Sequence, residues 1–83
     1  MNIRNIISLS DNNKYLIVGK VDYENKNHYY LVDINNQENI KFCYEDNGDL
    51  VEIESPEIIH KLIPIFGEQA MKEIKKLIDM NNN

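Results

Sequence analysis

The chain reads as an α+β domain: an antiparallel β-meander of four to five strands with one face covered by a C-terminal helix that is kinked or broken near Pro64. Three observations predict it. Alternating apolar residues run through 14–54, Asn- and Asp-rich turns interrupt them, and a stretch with helical apolar spacing follows from Pro56.

The turns set the strand pairing. In Asp46-Asn47-Gly48-Asp49, the Asn-Gly pair tolerates the positive φ angles of a two-residue type I′ hairpin. Glu45 then faces Leu50, Tyr44 faces Val51 and Phe42 faces Ile53, with Phe42, Tyr44, Val51 and Ile53 on one side. A turn at Asn25-Lys26 pairs Tyr23 with His28, Val21 with Tyr30, Gly19 with Val32 and Ile17 with Ile34. Bringing Tyr30, Val32 and Ile34 onto the face of Ile40, Phe42 and Tyr44 requires an odd loop over 35–39, where a bulge is expected. By the same parity Ile7 and Leu9 meet Tyr15 and Ile17, adding a first strand at the edge.

Ser55 is a suitable N-cap, Pro56 fits the first helical turn, and Glu57 suits the positive end of the dipole. Ile58, Ile59, Leu62, Ile63 and Phe66 form one apolar stripe, and Ala70, Met71, Ile74, Leu77 and Ile78 form another, both expected to be buried. Pro64 removes the hydrogen bond to the His60 carbonyl, at about 3 kcal/mol in a helix interior, and Gly67 follows. Glu68 near the start of the second stripe and Lys75 and Lys76 near its end suit the dipole. Gly19 lets the helix approach the sheet closely. The single domain therefore divides into a sheet over 1–54, a helical tail over 55–80 and a frayed end at 81–83.

Composition excludes several classes. At 83 residues the chain buries only about 60% of its unfolded surface, so stability leans on a well-filled core. Hydrophobic residues make up 42% and charged residues 28%, and no apolar run approaches the roughly 20 residues of a membrane span. The N-terminal segment is interrupted by polar residues at 8–14 before a signal-peptide core forms, and a single cysteine, Cys43, permits no internal disulfide; both agree with a cytoplasmic location. The abundance of Asn, Ile and Lys suggests an AT-rich bacterial, phage or mobile-element genome.

Cys43, His28 and His60 are the obvious nucleophile, base or ligand candidates, and the register keeps them apart. A Cys–His pair needs hydrogen-bond contact and structural zinc needs four ligands, so no catalytic, metal or cofactor residue is assigned. The isolated glycines Gly19, Gly48 and Gly67 form no phosphate loop. Charge carries more information: Glu45, Asp46, Asp49, Glu52, Glu54 and Glu57 cluster in the last hairpin and helix start. Such a rim commonly only keeps a small protein soluble, but it also fits a basic surface on a protein partner. The net charge of -5 opposes direct nucleic-acid binding. On the face expected to point away from the helix, Val18, Tyr29, Leu31 and Cys43 form a candidate dimer contact.

The runs Lys14-Tyr15-Leu16-Ile17-Val18, Val21-Asp22-Tyr23, His28-Tyr29-Tyr30-Leu31-Val32-Asp33-Ile34-Asn35, Ile40-Lys41-Phe42-Cys43-Tyr44-Glu45-Asp46 and Leu50-Val51-Glu52 resemble a family of small acidic proteins of unknown function. Its members come from low-GC Gram-positive bacteria and their mobile elements, and the likeness continues through 58–66. It implies a sheet and a bacterial origin and carries no functional residue. The resulting expectation is a non-enzymatic protein-binding module, an inhibitor encoded by a phage or mobile element that uses its acidic rim against a host nucleic-acid-binding defence protein, as anti-CRISPR proteins do. The competing expectation is a housekeeping dimerisation or assembly module using the sheet face.

Overall fold

The computed structural model describes residues 1–81. Strands β1 (Ile6–Ser8), β2 (Lys14–Tyr23), β3 (Lys26–Asp33), β4 (Ile40–Asp46) and β5 (Asp49–Glu52) form one antiparallel sheet in sequence order, followed by helix α1 (Pro56–Asn81). This is the expected α+β meander. The sheet is curled, and the curl gives it two cores.

The β4–β5 hairpin has the expected register, Tyr44 opposite Val51 and Glu45 opposite Leu50, with Asn47 and Gly48 both at positive φ. The β2–β3 turn lies one residue earlier than expected: Glu24 and Asn25 take the positive φ angles, and Tyr23 pairs with Lys26. Val21 consequently faces His28 and Gly19 faces Tyr30, a slip of two residues that preserves the face of each side chain. Val32 meets Ile40 and Tyr30 meets Phe42 across the next loop.

The bulge falls in β2, between Ile17 and Gly19, rather than in the 35–39 loop. Its extra residue inverts the first half of the strand. Beyond it, Gly19, Val21 and Tyr23 face the helix; before it, Tyr15 and Ile17 turn to the opposite, concave face and join Tyr29, Leu31 and Cys43 in a buried cluster closed by Ile7, Leu9 and Leu50. The helix-side core contains Phe42, Ile53, Leu62 and Phe66, with Tyr30, Tyr44 and Ile59 against them.

Helix α1 starts as expected. The Ser55 Oγ accepts a hydrogen bond from the Ile58 amide at 3.4 Å, and Glu57 occupies the first turn. It then passes through Pro64 and Gly67 without a break. Pro64 and His60 are both exposed, so solvent can reach the carbonyl that the proline leaves unbonded, while buried Leu62 and Phe66 hold the helix on either side. Asn81 is still helical, and the remainder of the expected frayed end, residues 82 and 83, lies outside the described residues. The last turn holds no basic residue, so Lys75 and Lys76 lie short of the terminus they were expected to balance.

Phe66 lies directly on Gly19, where an added Cβ would fall 2.7 Å from its Cδ1 atom, as the close approach predicted. Gln69 supplies a second attachment: its Oε1 accepts from the Lys20 amide at 3.1 Å, and its Nε2 donates to the Lys20 carbonyl. Past Gln69 the helix leaves the sheet. Ala70, Met71, Ile74, Leu77 and Ile78, the stripe expected to be buried, are all exposed. A helix of 26 residues is about 39 Å long, which accounts for much of the molecule's 44 Å longest dimension. The sheet is too narrow to cover it.

Candidate functional site

The acidic residues divide into two groups. Glu45, half-buried, accepts a hydrogen bond from the Tyr29 hydroxyl at 2.8 Å; Glu52 pairs with Lys41 at 2.6 Å; Asp46 lies 3.8 Å from Lys26. The strand pairing produces these partners, because Glu52 sits opposite Cys43 and therefore diagonal to Lys41 on the same face. Asp49, Glu54 and Glu57 are exposed and take part in no salt bridge among the described residues. They lie along the free edge strand and the start of α1. Their charges remain available to solvent or to a partner.

The candidate dimer face is not a surface in the single molecule. Tyr29 and Leu31 are fully buried and Cys43 nearly so, because the curl folds the sheet over them; only Val18 is exposed, at the bulge. The expectation of an uncovered sheet face is corrected by that curvature.

Burial also sets the chemistry of these groups. It pushes the Cys43 thiol up to about 11, leaving it protonated at neutral pH and a poor nucleophile. Cys43 faces the concave core, whereas His28 faces the helix side, donating from Nδ1 to the Lys26 carbonyl at 2.9 Å and meeting the Tyr23 ring edge-on. His60 is exposed on α1. The three do not converge. Among the described residues no three His, Cys, Asp or Glu side chains are grouped to hold a metal ion. A hollow of about 500 Å³ opens at the mouth of the curled sheet between Ser8, Asp11, Lys41, Asp49 and Glu52, with Cys43 beneath it.

Sequence patterning missed two features. The first is a polar knot at one end of the concave core: Tyr15 donates to Asp11 at 2.6 Å, and Asn39 donates from Nδ2 to the Tyr15 hydroxyl and to buried Asp33, each at 3.1 Å. Asp33 also accepts from the Asn35 amide at 2.8 Å. The hydrogen bond from Tyr15 lowers the Asp11 pKa, whereas burial, then Asp11, raises that of Tyr15. Asp and Asn in turns are common, so only the register brings these four together. The second is a groove of about 880 Å³ between α1 and the β1–β2 side of the sheet, with Ile3, Leu16 and Val18 on one wall and Ile63, Ile74 and Leu77 on the other.

No family model, curated protein or solved structure matches this chain.

Proposed function

We propose that this chain is a non-enzymatic protein-binding module that presents the acidic edge of Asp49, Glu54 and Glu57 to a basic surface on another protein. The observation that carries this reading is the division of the rim. Three carboxylates have partners of their own within the molecule, while three stand exposed and uncompensated along one edge. Uncompensated charge of one sign steers encounter with a surface of the opposite sign and disfavours like-charged partners. A basic surface of this kind is typical of nucleic-acid-binding proteins, whose affinity comes largely from neutralising phosphates. The specific role proposed is inhibition of such a protein, a bacterial defence protein opposed by a phage or mobile element in the manner of an anti-CRISPR protein. The net charge of -5 supports binding to the protein rather than to the nucleic acid itself.

Affinity capture from the native cell followed by binding measurements on the captured partner tests this. Asp49→Lys/Glu54→Lys/Glu57→Lys is expected to retain its far-UV spectrum and lose at least tenfold in affinity, and wild-type binding should weaken as salt rises. Salt-independent binding, or binding that survives the triple reversal, rejects the acidic edge as the contact.

A further inference from the structure

We infer that a second copy of this chain docks antiparallel on the exposed stripe of α1, forming a two-fold dimer. This proposal concerns a different surface from the acidic edge and does not rest on it. Ile63, Gly67, Ala70, Ile74 and Leu77 follow one another at alternating intervals of four and three residues, the spacing of a helix–helix seam. Within one molecule the seam has no cover: Ile63 is 54% exposed, Ile74 49% and Leu77 55%, with Met71 and Ile78 exposed alongside.

The area is appropriate for an interface. With Ile3 and Val18 on the other wall of the groove, these exposed side chains present roughly 700 Å² of apolar surface, near the ~800 Å² per partner of a standard interface and above the few hundred Å² usual for a monomer's patches. Shape selects a second copy and its direction. Antiparallel alignment places Leu77 and Ile74 of one copy over Gly67 and Ala70 of the other, large residues against small, and nothing lies within 4 Å of where a Gly67 Cβ would be. Parallel alignment would oppose Gly67 to Gly67, leaving a gap. A two-fold contact needs one patch complementary to itself, which this stripe is.

Sedimentation equilibrium of the full chain tests the inference. A dimer at micromolar concentration supports it, and a monomer persisting at millimolar concentration overturns it. Leu77→Asp and Ile74→Asp, at exposed positions, should keep the far-UV spectrum and weaken self-association at least tenfold; an intact dimer in both overturns the proposal. Mixed under mild oxidation, the Gly67→Cys and Leu77→Cys variants should crosslink to each other and not each to itself. This arm decides the orientation even where an aspartate variant fails to fold, because crosslinking of each variant to itself rejects the antiparallel arrangement. Asp49→Lys should dimerise as the wild type does, which separates this test from that of the acidic edge.

Discussion

The two faces of the sheet are both apolar, yet one is sealed and the other half open. On the concave side, five strands curl around Tyr15, Ile17, Tyr29, Leu31 and Cys43, and each tyrosine hydroxyl finds a carboxylate at the rim. On the convex side, a single helix has to provide the cover and does so only from Ile59 to Gln69. Stability is therefore concentrated where the sheet covers itself, and the uncovered apolar surface lies where an element outruns its support. Apolar patterning marks both regions alike; curvature and length separate them.

Truncations on the two sides should differ most. Leu31→Ala removes a fully buried side chain and is expected to cost about 2–5 kcal/mol, whereas Leu77→Ala, measured at a dilution where the chain is monomeric, should stay within about 0.5 kcal/mol. Urea denaturation of both variants checks the contrast, and equal losses would mean that the distal helix is packed within the single molecule. Next in size is Gly19→Val, whose first side-chain carbon meets the Phe66 ring and must push the helix outward. About 1–3 kcal/mol is expected, with hydrogen exchange accelerating in α1 before β3, since the concave cluster does not need the helix.

The concave side should also have its own alkaline limit. Burial, then the hydrogen bond to Glu45, pushes Tyr29 up to about 12 from 10.0, so the folded state favours its protonated form. That contribution is complete below pH 10 and is lost as pH rises towards 12. Tyr29→Phe should lose about 1 kcal/mol at neutral pH and show a shallower decline of its denaturation midpoint across that window. A loss smaller than that of Tyr29→Phe is expected at the edge. Lys41→Ala breaks a partly exposed pair and should cost under about 1 kcal/mol, while freeing Glu52 and increasing the rate of association with a basic partner in stopped-flow measurements.

Much of this architecture was legible from local chemistry. Asn47-Gly48 determines the last hairpin because few other pairs accept two positive φ angles in succession, and Gly19 marks the place where Phe66 sits on the strand. The bulge at Val18 was not legible: Tyr15, Ile17, Gly19, Val21 and Tyr23 alternate without interruption, and nothing local shows that the first two turn the other way. That one residue moved Tyr29, Leu31 and Cys43 from an imagined outer face into the interior. For the acidic residues the pattern located the cluster, but the loss of Glu45, Glu52 and Asp46 to internal partners depends on tertiary pairing. The helical stripe was visible and its burial was not, because amphipathicity states what a face prefers and not whether the fold has anything to place against it.

The amide of Gln69 behaves as a surrogate strand. β1 begins only at Ile6, opposite Leu16, so the outer border of β2 around Lys20 lacks a strand neighbour, and a single glutamine takes both of that residue's main-chain groups. Bare borders of this sort invite chains to add to one another without limit. Detaching the helix would therefore uncover a template as well as a core, and a Gln69→Ala protein should form fibrillar aggregates sooner on gentle warming than its small loss of stability alone would imply.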